Sequence, residues 1–162
     1  MTTLDTSLGL AERLDVLEDR EAIREVVANY CRGVDQKDEM LFLSIWEDDA
    51  KWTIGDPFGN IVGIEQIRET LRGVWGVLPE SHHFTTNTTI NVTGRTRASA
   101  ISDVDCTATD QNGRAILIAA TYLDDLRKTD GAWKFVERKV KIHYWTPVDQ
   151  PWTLDRRLDV GI

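Results

Sequence analysis

"WKFVERKVKIHYWT" runs from Trp133 to Thr146. Its residues alternate, as they must where successive side chains of a β-strand point to opposite faces. One face would carry Val136, Arg138, Val140, Ile142 and Tyr144, and the other Phe135, Glu137, Lys139, Lys141 and His143. The second row tolerates solvent along most of its length. The first is apolar except for Arg138. The segments before it repeat the period: about Ser81 to Val92, Arg97 to Thr109 and Arg114 to Arg127 also read as long strands. "TGR", "DQNG" and "TDG" between them are suited to tight turns. Consecutive strands joined by short turns form an antiparallel meander.

Upstream of Pro79 the period is helical. Leu10, Leu14 and Leu17 fall at i, i+4, i+7. Asp19 is placed to cap a second helix with Ile23, Val26, Val27, Tyr30 and Val34 on one stripe. "MLFLSIW" (Met40 to Trp46) reads as a short third helix, "AKWTIG" (Ala50 to Gly55) as a strand and "GDPFGN" as a turn. "IEQIRETLRGVW" (Ile64 to Trp75) places Ile64, Ile67, Leu71 and Val74 on one helical face. Helices followed by a meander predict an α+β fold, with the helices packed on one face of the sheet. Strands this long must twist, and a curved sheet closed by helices leaves a concavity. Residues 1–147 read as one domain. Residues 148–162 read as a tail, in which Trp152 and Leu154 would dock on the body or on a neighbouring protomer.

A chain of 162 residues, 41% hydrophobic and 28% charged, has the composition of an ordinary globular domain. Its net charge of −8 argues against nucleic acid as a partner, because phosphate binding needs a basic face. The longest apolar runs, such as "ILIAA" (Ile116 to Ala120), are too short to cross a bilayer, and nothing resembles a signal peptide. The expectation is a cytoplasmic protein with no membrane partner. Cys31 and Cys106 lack metal-type spacing and read as buried thiols.

Three features break the patterns. An arginine among β-branched neighbours needs a carboxylate, carbonyls or a ligand anion, and a core salt bridge would satisfy Arg138 as well as a ligand would. Asp35 continues the inward stripe of its helix, four residues after Cys31, at the end where the dipole disfavours an acid. A solvated loop aspartate is the alternative. The third feature is "ESHHFTTN" (Glu80 to Asn87), where two histidines on one strand must face opposite ways. His83 shares its row with Thr85, Asn87 and Thr89; His82 shares its row with Phe84, Thr86, Thr88 and Ile90. Parity alone does not say which row faces inward. His82, His83 and His143 have no metal-binding spacing, and no phosphate loop, GxSxG elbow or CxxC pair occurs, so neither a metal nor a cofactor is expected.

"LSIWEDDAKWTI" (Leu43 to Ile54), "HFTTN" (His83 to Asn87), "ILIAATY" (Ile116 to Tyr122) and the run from "DGAWK" to "YWTP" (Asp130 to Pro147) together resemble one family. It is the SnoaL-like branch of the nuclear transport factor 2-like superfamily. Within it the likeness is greatest to the hexachlorocyclohexane dehydrochlorinases and less to scytalone dehydratases and polyketide cyclases. The resemblance covers about Leu17 to Pro147. It implies a cone-shaped half-barrel, with N-terminal helices against a strongly curved, mostly antiparallel sheet that encloses a pocket. It also implies an aspartate–histidine dyad, which falls on Asp35 in "GVDQKD" and His83 in "HFTTN", with a further catalytic arginine at Arg138 and a pocket tryptophan at Trp52. The dehydrochlorinases carry a lysine about a turn and a half before their aspartate. Here that position is Tyr30. A cation that would help a halide leave is replaced by a phenol that donates to oxygen, which suits loss of water, enolisation or ring closure.

The implied function is a cofactor-independent lyase or isomerase of dehydratase, dehydrohalogenase or cyclase type. It would act on a small, largely apolar cyclic molecule, with His83 as general base oriented by Asp35. Arg138 and Tyr30 would stabilise developing charge. Val104, Cys106, Ile118, Ala120, Val140 and Ile142 would exclude water, and Trp52 and Tyr122 would flank an aromatic or alicyclic ring. Two other classes fit the same architecture: a carrier that binds a hydrophobic ligand unchanged, and a structural protein like the β subunits of aromatic-ring dioxygenases. The family likeness also implies a homo-oligomer, dimer or trimer.

Overall fold

Six strands form one curved, open sheet in the order β2-β1-β6-β5-β4-β3. The computed structural model describes residues 9–55 and 59–150. In chain order the elements are α1 (Leu10–Asp35), α2 (Glu39–Ser44), β1 (Trp46–Gly55), β2 (Gly59–Val62), α3 (Ile64–Val77), β3 (Glu80–Val92), β4 (Arg97–Thr109), β5 (Ala115–Thr129) and β6 (Ala132–Pro147). β3 to β6 are the expected meander, each antiparallel to the next. β1 returns alongside β6 in parallel, with Trp52 opposite Arg138. α1 packs against β3 and β6, so the helices cover the concave side.

The N-terminal segment is one helix rather than two. Asp19 does not cap a second helix. Its carboxylate accepts hydrogen bonds from Lys128 Nζ and Trp133 Nε1, each at 2.8 Å, and so ties the middle of α1 to the far end of the sheet. Leu10, Leu14 and Leu17 are exposed, whereas Ile23, Val26, Val27, Tyr30 and Val34 form the buried stripe. Asp38 caps α2 by accepting from the Leu41 amide at 2.9 Å. α1 and α2 touch at Gly33, where a Cβ would lie 2.7 Å from that of Phe42. β1 begins at Trp46, four residues before the expected strand, and hairpins with β2, which sequence periodicity missed. Most of the expected docking tail, with Trp152 and Leu154, lies outside the described residues, as do residues 56–58 of the expected turn.

Alternation along β6 is broken twice. Asp125 pairs with Glu137 and Leu126 with Phe135, leaving Val136 as an extra residue; Ala119 pairs with Tyr144 and Ala120 with Ile142, leaving His143 extra. Each bulge moves the side chains beyond it to the other face. Phe135, expected on the solvated row, is 0% exposed, and Tyr144, expected inside, is 51% exposed. Arg138, Val140 and Ile142 between the bulges keep the expected inward face. β3 has the same device. One extra residue lies between Thr86 and Thr89, and Asn87 has φ +51°, a left-handed conformation that asparagine tolerates better than most residues. Ser81, His83 and Thr85 face inward before it, and Thr88 and Ile90 after it.

Candidate active site

The buried side chains separate into two clusters. The larger spans α1, α2, the inner face of α3 and the sheet centre. The smaller, Leu78, Cys106, Ala108, Ile116 and Ile118 with Trp145 against it, lies at the open ends of β4–β6. Between them is a cavity of about 70 Å³. Large inward side chains from α1 and small ones from β4 and β5, such as Ala120 and Cys106, cannot close the gap where the sheet curves away. All nine residues expected to bind substrate line this cavity, and so does His83. Val34, Ile54, Val74, Leu78, Ser81 and Trp145 line it too and were not foreseen.

Asp35 is the last residue of α1 and faces the start of β3. His83 Nδ1 lies 2.6 Å from its Oδ1, the Ser81 hydroxyl donates to the same oxygen at 2.7 Å, and the His83 backbone N–H donates to Oδ2 at 2.8 Å. Both side chains of the pair are only 14% exposed. Burial alone would raise the Asp35 carboxyl, but the bonds from His83 and Ser81 outweigh it and hold the group below the ordinary carboxylate range. An ionised Asp35 needs a proton on Nδ1, and in a neutral imidazole the lone pair is then on Nε2, the nitrogen turned away from Asp35. His82 points to the other face, as adjacent strand residues must, and is exposed.

Of the two readings open for Arg138, the structure has the core salt bridge rather than a place on the cavity wall. Arg138 is 0% exposed and does not line the cavity. Asp124, also buried, takes two parallel bonds from its Nε and Nη2, both 2.7 Å. The guanidinium also lies over three aromatic rings, 4.2 Å from the centres of Tyr30 and Tyr122 and 4.1 Å from that of Phe135. The carboxylate partner is thus internal, and the two tyrosines stand between the cation and the cavity. Asp124 shares the inward row of Tyr122 and Leu126, so parity on β5 could have found it. Burial pushes both phenols up, Tyr30 and Tyr122 alike, and the nearby Arg138 charge offsets only part of that, so both remain protonated donors. The Cys106 thiol, raised to about 12 by burial, is no nucleophile at neutral pH. Among the described residues no cluster of histidines, cysteines and carboxylates is arranged to hold a metal ion.

The SnoaL-like domain model matches residues 15–139, which hold the dyad, the cavity wall from Tyr30 to Tyr122, and Arg138. The chain belongs to the SnoaL-like family. Hexachlorocyclohexane dehydrochlorinase 1 of Sphingobium indicum is 34% identical over 137 residues, 83% of this chain and 88% of that protein. The crystal structure of a type 3 hexachlorocyclohexane dehydrochlorinase from Novosphingobium barchaimii superposes with a TM-score of 0.77 at 31% identity, over 87% of this chain and 97% of that one. A scytalone dehydratase-like protein of Novosphingobium aromaticivorans is similar in fold, with a TM-score of 0.75 at 21% identity over 85% of this chain and 98% of its own. The SnoaL-like fold explains why helices and sheet leave a hollow rather than a solid core. Among the described residues no helix is long and apolar enough to cross a membrane.

Proposed function

We propose that the protein is a lyase that removes a proton from a small, largely apolar cyclic substrate, with His83 Nε2 as the base and Asp35 as its orienting carboxylate. Kinship supports the enzyme class, since relatives a third identical in sequence are dehydrochlorinases, which eliminate HCl. The observation that carries the mechanism is the 2.6 Å contact between His83 Nδ1 and Asp35 Oδ1 at the wall of an apolar cavity. The carboxylate would stabilise the imidazolium as it forms. A low-dielectric wall strengthens that attraction at the moment of transfer. A base so placed contributes about 10²–10⁴-fold.

Arg138 would act through its neighbours. Paired with Asp124, it brings no net charge to the cavity, but it fixes the rings of Tyr30 and Tyr122 that do line it. The other inward residues exclude water and set the size of the substrate, and the reading needs no bound metal or organic cofactor. The His83→Ala variant is the test, read as turnover of a cyclic substrate with an acidic C–H. Loss of at least a hundredfold in kcat with the fold intact is expected, and survival of turnover within tenfold would show that His83 is not the base. Deuterium exchange into the C–H bonds of a bound ligand separates this reading from a passive carrier, which should catalyse none.

A further inference from the structure

The cavity is too small for a molecule built on a single six-membered ring. It measures about 70 Å³, whereas an apolar cavity that admits benzene measures about 150 Å³. A wall therefore has to give way on binding, and most of the lining is fixed. Val104 and Cys106 on β4, and Ile118 and Ala120 on β5, stand on strands paired on both sides. Tyr30 and Val34 belong to the buried stripe of α1, and Ser81 and His83 are bonded to Asp35.

The end of α3 is different. Val74 and Leu78 line the cavity from it, but Ile67 and Leu71, the buried residues that anchor the helix, lie before it. Gly73 and Gly76 stand in the same segment. A Cβ at either would meet nothing within 4 Å, and neither has a positive φ, so neither packing nor backbone conformation requires glycine there. Each disfavours the helical state about fivefold relative to alanine. Pro79 follows, where a helix cannot continue unbroken. Among the described residues two hydrogen bonds tie the segment to other elements. Trp75 Nε1 donates to the Val34 carbonyl oxygen and Gln111 Nε2 to that of Gly76, each at 2.8 Å. The second is exposed. Leu78 packs in the smaller buried cluster and Val74 and Trp75 against the larger, so the segment bridges the gap that holds the cavity.

We infer that residues 73–78 form a gate that sets the size of molecule the cavity admits. The last turn of α3 unwinds at its two glycines, lifts Val74 and Leu78 off the cavity and makes room for a neutral apolar ring. Gln111, on the turn between β4 and β5, is the latch, because its bond to Gly76 belongs to the closed form. A particle smaller than a ring enters without opening. This goes beyond the proposed reaction and holds for binding alone.

Fluorobenzene and xenon, titrated into the whole protein and followed by fluorine and xenon NMR, test it. Gly73→Ala with Gly76→Ala stiffens the turn and leaves the closed form undisturbed, since both methyl groups face open space. The pair should weaken fluorobenzene binding about twentyfold, the two helix preferences combined, and leave xenon binding unchanged. Gln111→Ala removes the latch and should strengthen fluorobenzene binding about threefold. Unchanged or tighter fluorobenzene binding in the alanine pair, an equal loss for xenon, weaker binding after Gln111→Ala, or no fluorobenzene binding by the unmodified protein would each overturn the gate. The titration involves no turnover, so it gives the same answer whether or not His83 is the base.

Discussion

Asp35 is where residue-level reasoning reached furthest. An acid on an inward stripe, at the unfavourable end of a helix, must be compensated or exposed. Its compensation is two bonds from His83 and one from Ser81. Ser81 went unread, although it lies two residues before His83 and so shares its face. The lowered carboxyl has a consequence for stability. Folded Asp35 holds its proton more weakly than an unfolded aspartate near 3.8, so it stabilises the fold above that pH, and the contribution fades as pH falls through the lower folded value. Urea unfolding of the unmodified protein and of Ser81→Ala should therefore differ at pH 7 and converge under acid. A gap that stays constant with pH would show that Ser81 acts by packing alone. Which histidine faces inward was not legible from parity, because the Asn87 bulge mixes the two rows. The asparagine itself, alone among threonines, was the one hint.

Elements were largely readable, and their boundaries failed where tertiary contacts overrode local signals. The meander strands fall within a few residues of expectation because turn chemistry and alternation agree. Asp19 resembled a helix cap, but Lys128 and Trp133 claim its carboxylate from the far end of the chain. β6 was assigned its two faces as a single unbroken strand, and its bulges at Val136 and His143 exchange Phe135 and Tyr144. No residue type at either bulge announces it. Packing between elements is least tolerant at Gly33. Alanine there places a methyl carbon 2.7 Å from Phe42 Cβ, with Phe42 backbone atoms at 2.9 and 3.0 Å. Gly33→Ala should lower unfolding free energy by about 1–3 kcal/mol despite the better helix propensity of alanine. Equal or greater stability in denaturant titration would mean that α2 moves aside freely.

Among the described residues, Arg138 and Asp124 form an ion pair in which both side chains are fully buried. Removing Arg138 alone strands the Asp124 carboxylate, and Arg138→Met should cost about 3–5 kcal/mol, whereas Arg138→Met with Asp124→Leu should recover most of it. Equal losses in the single and double variants, by chemical denaturation, would mean that the pair has no electrostatic role in stability. The outer face of the sheet is also distinctive. Phe84, Ile101, Leu123 and Tyr144 are exposed on it, with Asp103 and Asp105 on β4 and Lys139 and Lys141 on β6. We expect this face to join copies of the chain, so sedimentation should report a dimer or trimer that Phe84→Glu weakens. A monomer at all concentrations would refute this.

Trp52 on β1 is held opposite Arg138 on β6, in the one parallel pairing of the described sheet. A chain emerging from the ribosome meets that partner only after the whole meander has been made. Until then the hollow lacks a wall and its aromatic lining faces water. The protein is therefore expected to be most prone to clumping late in its synthesis, and chains cut short before residue 138 should be insoluble rather than weakly active.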